Sequence, residues 1–408
     1  MGVVHSASYQ HEQARSAWIA ARNAAAFGAF SSTEPPRQRV LMTADAGSCL
    51  WQYALELGRA LTAAGHEVAL ATTGGIPDRE QWREADAIAG LELHASAYKP
   101  SALEECSERR AAGHWLSDLA TSIQPSVVHL NGFDHADVAW KAPVLLVAHT
   151  CMQSWWRAVH GTPLPESWRR YRQRIAAALR MADLVVAPTR ATLRGLQQHQ
   201  GPLRAARVIP NGHDALNLPT PQKGEYVFSS GDPADHGCNL AALGAVAARV
   251  PWPLCVASPG ELHTGTAGAM AGVRMLGRLS CGPAAHWLAR APVYALPARH
   301  GPAGLSLHAA ALARCALVLG DIESLRETWD GAAIFVDPRD DEALARALQS
   351  LIADKAAREC YAELAFVRAK RFSASAMGAA YAAAYAEIAP SACAEVELAP
   401  AASAQMRC

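Results

Sequence analysis

Short apolar runs alternate with segments of helical periodicity along most of this chain. Residues 40–43 form the first run, residues 51–64 place apolar side chains at helical spacing, and residues 67–72 form the next run. Gly65 closes the helical segment, as glycine commonly does just past a helix end because it accepts left-handed dihedral angles. A strand, a helix, a glycine and a second strand make one right-handed crossover unit of a parallel sheet.

Two series of such units follow one another. Apolar, β-branched runs of about four residues suit strands that are buried on both faces of a doubly wound sheet. They recur at residues 127–130, 144–147, 184–187, 207–210, 226–228, 254–257, 273–276, 293–296 and 316–319. A polar, proline-containing linker ending at Lys223 separates the two series. The pattern predicts an α/β chain of two facing Rossmann-like, doubly wound domains with a cleft between them.

The length of the chain agrees with two domains, because 408 residues exceed what one hydrophobic core usually organises. We expect an N-terminal arm over residues 1–37, a first domain over 38–215 and a second domain over 224–372. Residues 373–388 are predicted to form a C-terminal helix that packs back on the first domain. The Ala/Pro/Ser-rich tail at 389–408 is typical of disorder.

Charge and cysteine content argue against several classes of partner. Lys plus Arg equal Asp plus Glu at 37 each, so no global field attracts nucleic acid or an anionic membrane. The ten cysteines contain no Cys-x-x-Cys pair and no zinc spacing with histidine, so we expect buried thiols and neither metal nor cofactor. No secretory signal and no stretch of about 18 apolar residues is evident, which predicts a cytoplasmic protein without a transmembrane segment.

One run carries a resemblance to a known family. Residues 301–319 read GPAGLSLHAAALARCALVL, and this segment resembles the donor-sugar motif of family 4 glycosyltransferases, which have the GT-B fold. The Pro-x-Gly-Leu turn of that motif is present as Pro302, Gly304, Leu305 and Ser306. The family brackets the turn with two Glu residues separated by seven positions. Gly301 and Ala309 stand at those two positions here.

Other stretches resemble the same family in the same order. They lie at residues 41–57, 64–68, 148–156, 182–189, 208–212, 320–327 and 336–338. The resemblance covers residues from about 39 to 388 and implies an acceptor-side first domain and a nucleotide-sugar-side second domain.

The groups that would neutralise a nucleotide diphosphate are altered. The leaving diphosphate gains negative charge, so donors and cations must be in place to meet it. The family supplies them in a Gly-Arg…Lys-Asn stretch, which matches Gly231 and Asn239 here, with Asp232 at the Arg position and Cys238 at the Lys position.

The loop after the first strand is altered as well. Gly47 is kept, but Ser48 and Cys49 replace the two glycines that the family often has there. Their Cβ atoms hinder close approach of a ligand to the backbone, although the Ser48 hydroxyl offers a donor. Taken with the second domain, these changes indicate either relaxed selection on the donor site or a different donor.

The resemblance also assigns residues to a cleft. His149 lies at the carboxyl end of a predicted strand, where ligands bind in such sheets, and is expected to contact the donor sugar or the acceptor. Asp45 is expected to hold a loop near the acceptor, or to be only a turn carboxylate at a strand end. Trp155 and Trp156 are expected to form an acceptor-side wall unless they only pack. Asn211 is expected to line the donor side of the cleft.

Four further arginine and histidine positions bear on the predicted donor site. Arg278 stands where the family reads the nucleotide base. Arg299, His300 and Arg314 flank the altered motif and either replace the missing cations or are simply solvated.

The resemblance implies a retaining, metal-independent glycosyltransferase with a nucleotide sugar as co-substrate and a glycan or small-molecule acceptor. The alternative is a catalytically inactive GT-B protein that partners an active glycosyltransferase or binds a ligand without turnover. Function on a shared fold has to be argued from the site, and here the site is depleted of the expected side chains.

Overall fold

The structure is a computed structural model that describes residues 37–48, 50–98, 107–214, 221–258, 268–301 and 304–389. Predictions for the N-terminal arm, the tail from residue 390, Cys49 and Pro302 lie outside the described residues.

The first sheet has seven parallel strands in the order β3-β2-β1-β4-β5-β6-β7. The strands are β1 Arg39–Asp45, β2 Glu67–Thr73, β3 Leu91–Ala95, β4 Val127–Leu130, β5 Val144–Val147, β6 Leu184–Ala187 and β7 Ala206–Val208. The order reverses between β1 and β4, so the carboxyl ends of these two strands flank the point where open α/β sheets bind ligands.

Six α-helices lie among the described residues of the first domain. They are α1 Leu50–Ala63, α2 Arg79–Asp86, α3 Ser107–Ile123, α4 Met152–His160, α5 Arg169–Met181 and α6 Arg190–Gln200. The central strands are buried on both faces, because helices cover the sheet on each side.

The second sheet has six parallel strands in the order β10-β9-β8-β11-β12-β13, again with one reversal, between β8 and β11. Its strands are β8 Val227–Ser230, β9 Leu254–Ala257, β10 Val273–Gly277, β11 Val293–Leu296, β12 Ala316–Gly320 and β13 Ile334–Val336. The helices are α7 Ala241–Val246, α8 Cys281–Arg290, α9 Leu305–Leu312, α10 Glu323–Trp329, α11 Asp341–Ala353 and α12 Lys355–Ala369. The prediction of two Rossmann-like, doubly wound domains is confirmed.

The last described helix, α13 Ala374–Ile388, crosses back to the first domain. Its Met377 and Tyr381 join the core that contains the α1 side chains, and the Tyr53 hydroxyl donates to the Tyr381 hydroxyl at 2.7 Å. The two helices approach closely at Gly378, where a Cβ would lie 2.7 Å from that of Ala60. This helix therefore follows the second domain in sequence but packs on the first domain.

Within the described part of the chain, no helix combines the length and apolarity needed to cross a membrane.

Candidate functional site

Asp45 ends β1 and organises the loop that follows it. Its carboxylate accepts a hydrogen bond from the Gly47 backbone N–H at 2.8 Å, and burial raises the pKa of this carboxyl group. Gly74, with a φ of 85°, comes so close that a Cβ there would lie 1.9 Å from Asp45 Oδ1. These contacts favour the second of the two sequence interpretations, in which Asp45 is a turn carboxylate at a strand end.

Ser48 is used at the start of α1. Its hydroxyl donates to the Asp45 carbonyl at 3.3 Å and accepts from the Leu50 backbone N–H at 3.2 Å. The hydroxyl proton is thus directed to the Asp45 carbonyl while the oxygen caps the helix, so this hydroxyl adds no free donor to the loop in this structure. Gly47 remains exposed beside it.

His149 follows β5 and contacts uncharged partners. Its Nε2 lies 3.0 Å from Asn131 Oδ1, and its ring meets the Tyr53 ring edge-on with centroids 4.5 Å apart. Burial lowers the pKa of this histidine to about 3, so the imidazole is neutral near pH 7. A neutral ring with no carboxylate partner is suited to a hydrogen bond with a ligand.

The two adjacent tryptophans of α4 do not share one role. Trp155 reaches the second domain, where its Nε1 donates to Asp235 Oδ1 at 2.7 Å. Trp156 instead stacks near His160 at 4.2 Å and Trp168 at 6.2 Å between ring centroids. Trp155 is thus engaged by a hydrogen bond between the domains and Trp156 packs on neighbouring rings, whereas the acceptor-side wall stays a prediction.

The loop after β8, which matches the family's cationic stretch, is held by its own acids. Asp235 accepts from the Gly237 backbone N–H at 2.8 Å and from the Cys238 thiol at 3.2 Å, in addition to Trp155. The exposed Asp232 accepts from the Ala234 backbone N–H at 2.9 Å. Both altered positions, Asp232 and Cys238, thus form hydrogen bonds within this loop.

Asn239 has a structural role in this loop. It is buried with a φ of 55°, and its Nδ2 donates to the carbonyls of Pro297 at 2.8 Å and Pro338 at 2.9 Å. An amide nitrogen has two protons, and both are taken. The amide nitrogen of Asn239 is therefore not free to donate to a ligand, and its place in the donor-binding stretch stays a prediction.

Arg299 and His300 follow β11 at the cleft. Their backbone N–H groups both donate to the Gly237 carbonyl, at 2.8 and 3.2 Å. Nε of Arg299 is buried and has no hydrogen-bond partner among the described residues. Burial lowers the pKa of His300 to about 4, so Arg299 carries the positive charge here and His300 does not.

Arg314 and Arg278 each lie beside a carboxylate. Arg314 pairs with Glu363 and lies over the Phe366 ring at 3.9 Å, which favours the interpretation in which it does not replace a missing cation. Arg278 at the end of β10 lies 3.5 Å from the Asp78 carboxylate of the first domain.

The remaining motif residues lie at domain contacts or inside the second domain. Gly301 has a φ of 137° and its carbonyl accepts from the Ser324 hydroxyl at 2.7 Å. Ala309 packs into the core cluster around Trp329, and Leu305 packs against the first domain's core. The Ser306 hydroxyl lies 3.2 Å from that of Tyr294. Gly304 precedes α9, and Asn211 is buried beside the crossing to α13.

A cavity of about 160 Å³ lies between the domains. Its walls come from the start of α4, from α6, and from two loops of the second domain, residues 299–301 and 322–324. Pockets that hold drug-sized ligands usually have roughly 300–1,000 Å³, so this space takes only part of such a ligand unless the domains separate.

Contacts between α6 and α10 close one side of this cavity. The Glu327 carboxylate accepts hydrogen bonds from the backbone N–H groups of Arg190 at 2.8 Å and Ala191 at 3.0 Å. Glu323 pairs with Arg194 one turn along. A carboxylate at a helix N-terminus satisfies N–H groups that lack partners within the helix and interacts favourably with the helix dipole.

Models of known protein families match a segment in each of the two domains. The family model Glycosyltransferase Family 4 matches residues 50–215, and Glycosyl transferases group 1 matches residues 236–354. No curated protein sequence matches the chain.

Solved structures of similar fold cover nearly all of the described chain. Sucrose-phosphate synthase from Thermosynechococcus elongatus gives a TM-score of 0.68 at 17% identity, over 86% of this chain and 99% of that one. HepE of Anabaena, in complex with UDP-glucose, gives 0.68 at 14% identity, over 86% and 100%. A glycosyltransferase from Rickettsia africae gives 0.63 at 14% identity, over 86% and 98%. At these identities the likeness establishes the fold.

Proposed function

This chain belongs to the family 4 type of GT-B glycosyltransferases, and from that premise we propose that it transfers a sugar from a nucleotide-sugar donor to an acceptor hydroxyl. The proposed transfer retains anomeric configuration and needs no metal, as the family resemblance implies. The acceptor is a glycan or a small molecule bound on the side of the first domain.

The proposal rests mainly on the environment of Arg299. Arg299 lines the space between the domains, and its buried Nε has no hydrogen-bond partner among the described residues. Leaving a charged donor buried without a partner is costly, which supports an anionic ligand at this place. The same cavity wall includes Gly301, the position of the family's first Glu.

Arg299 therefore supplies the positive charge that Asp232 and Cys238 do not. As the bond to the sugar breaks, negative charge grows on the diphosphate oxygens, and a guanidinium in a water-poor site stabilises that charge. In the proposed mechanism the acceptor hydroxyl attacks from the face that the diphosphate leaves. A diphosphate oxygen then takes the hydroxyl proton, so no protein base is required.

A first test uses UDP-glucose, the ligand of HepE, as the probe. Isothermal titration of UDP-glucose, UDP and a panel of other nucleotide sugars into the native protein should give micromolar binding for at least one nucleotide sugar. Release of free nucleotide in the presence of an acceptor panel should then accompany a product of retained configuration. Absence of binding across the whole panel contradicts the proposal.

A second candidate is a catalytically inactive glycosyltransferase-like subunit that partners an active glycosyltransferase. The observation that favours it is the loop at Asp232 and Asp235, where two carboxylates occupy the stretch in which the family places cations. Binding of a nucleotide sugar without nucleotide release over the same acceptor panel would support this candidate over the enzyme.

A further inference from the structure

A chain of hydrogen bonds runs from α13 to the carboxyl edge of the first sheet. The Tyr385 hydroxyl of α13 lies 2.6 Å from Nδ1 of the buried His129, and Nε2 of His129 lies 3.1 Å from Asn131 Oδ1. The same amide oxygen lies 3.0 Å from Nε2 of His149. Asn131 thus connects two histidines at the carboxyl ends of β4 and β5.

Main-chain contacts fix the orientation of the Asn131 amide. Its side-chain nitrogen lies 2.8 Å from the Thr43 carbonyl oxygen, and its backbone N–H donates to the Thr43 hydroxyl at 3.1 Å. A carbonyl oxygen only accepts, so the atom facing it must be the NH₂ group. The amide oxygen therefore faces the two histidines and can only accept from them.

This orientation determines the tautomer of each ring. Burial lowers the pKa of His129 to about 4 and that of His149 to about 3, so both rings are neutral near pH 7 and each has one N–H. That proton must lie on Nε2 in both rings, because Asn131 Oδ1 offers only lone pairs. Nδ1 of His129 then accepts from the Tyr385 hydroxyl, which agrees with the 2.6 Å distance.

We propose that Asn131 is a positioning residue that holds His149 in the Nε2-protonated form, so that His149 Nδ1 is presented as an acceptor for a hydroxyl of the bound sugar. No residue in the described ranges donates to this Nδ1, and the ring of His149 is only partly buried at the ligand-binding edge of the sheet. The role in sugar binding rests on the proposed function, whereas the tautomer is a property of the free protein.

The proposal restricts what His149 does. An imidazole with a bare Nδ1 accepts a hydrogen bond from a hydroxyl and repels a phosphate oxygen, which has no proton to give at neutral pH. His149 is thus assigned to the sugar and Arg299 to the diphosphate.

Long-range ¹H–¹⁵N spectra of protein labelled at histidine test the tautomer without a ligand. We expect native His149 and His129 to show a protonated Nε2 and a bare Nδ1. Asn131→Asp keeps an acceptor and should keep that tautomer, whereas Asn131→Leu should mix the two tautomers of His149. Asn239→Leu removes another buried asparagine amide, in the second domain, and should leave both rings unchanged.

If Asn131→Leu does not fold, the spectrum of the native protein still tests the proposed tautomer of His149. A proton on Nδ1 of native His149 overturns the proposal, and so does a His149 spectrum that is unchanged in folded Asn131→Leu.

The ligand role is tested with His149→Gln. Its side-chain NH₂ can replace Nε2–H toward Asn131, but it has no acceptor at the position of Nδ1. Losing one hydrogen bond to a sugar should weaken UDP-glucose binding by about 3- to 10-fold, with UDP affinity unchanged. Equal affinity of native protein and His149→Gln for UDP-glucose contradicts the ligand role. If native protein binds no UDP-glucose or other nucleotide sugar, the proposed function fails, while the spectra still decide the role of Asn131.

Discussion

At the scale of single residues, Gly301 and Ala309, which the resemblance aligns with the family's two Glu residues, fit the backbone and packing around them. Gly301 has a φ of 137°, a backbone conformation that side chains disfavour, and Ala309 is packed in an apolar cluster. Restoring the two glutamates is therefore costly in this backbone. In the proposed function, residues other than these two bind the donor.

A direct consequence is that Gly301→Glu destabilises the protein. A side chain at this φ costs on the order of 1–3 kcal/mol, so the free energy of unfolding measured in urea should fall by that amount. Gly282→Glu is the matched control, because Gly282 is exposed, has no positive φ and would bring a Cβ into open space. Equal stability of the two variants would contradict the account of Gly301.

Sequence reasoning found some site residues and missed others for physical reasons. His149 was found because a polar residue follows a buried strand, and Asn131 after β4 gives the same signal but was not singled out. The engagement of Trp155 by Asp235 joins residues 80 positions apart, and local sequence contains no information on such a contact.

At the scale of elements, the contact between α10 and α6 holds the two domains together beside the cavity. Glu327→Gln replaces a carboxylate by a neutral amide at the first N–H groups of α6. Interactions of this kind are worth about 0.3–1 kcal/mol, so hydrogen exchange at the Arg190 and Ala191 amides should become several-fold faster in mass spectrometry or NMR.

Glu342→Gln provides the control for this prediction. Glu342 pairs with Arg249 inside the second domain, and both Glu342 and Arg249 lie away from α6. Its loss should leave exchange at Arg190 and Ala191 unchanged. If Glu327→Gln also leaves that exchange unchanged, the carboxylate does not hold this helix end.

Most strands could be predicted to within two residues because their apolar runs are buried on both faces. Residues 127–130, 144–147 and 184–187 are strands as predicted. β3 was missed because it lies at the sheet edge, where the exposed Glu92 and the partly buried His94 interrupt the apolar pattern. β13 has only three residues, which is too short for a periodicity to show.

At the scale of the whole molecule, buried neutral histidines make stability depend on pH. Burial lowers the pKa to about 4 for His129, His300 and His308, and to about 3 for His149. Below their ordinary pKa of about 6.5 the unfolded chain binds protons that the folded chain does not. Stability is therefore full above pH 6.5 and falls as the pH drops toward 4.

Each of these histidines should reduce the free energy of unfolding by up to about 1.4 kcal/mol per pH unit in this range. Urea denaturation at pH 7 and pH 5 measures the sum. His308→Gln should lower the dependence by close to one proton. A stability that is the same at pH 7 and pH 5 would contradict the neutral state of these rings.

The overall architecture followed from the sequence more fully than the site did. Two alternating series of strands and helices require two doubly wound sheets, since each strand must be buried and each crossover is right-handed. The closure between the domains depends on pairs such as Glu327 with α6 and Asp78 with Arg278, which come from distant parts of the chain.

The central claim is that Arg299 replaces the lost cations in binding a nucleotide diphosphate. Calorimetric titration of UDP-glucose into native protein, Arg299→Gln and Arg314→Gln tests it most directly. Because a hydrogen bond to a charged group contributes about 1.5–3 kcal/mol, we predict that Arg299→Gln weakens binding by roughly 10- to 100-fold. Arg314→Gln, which removes an arginine paired with Glu363, should bind as the native protein does. Native affinity in Arg299→Gln would contradict the account.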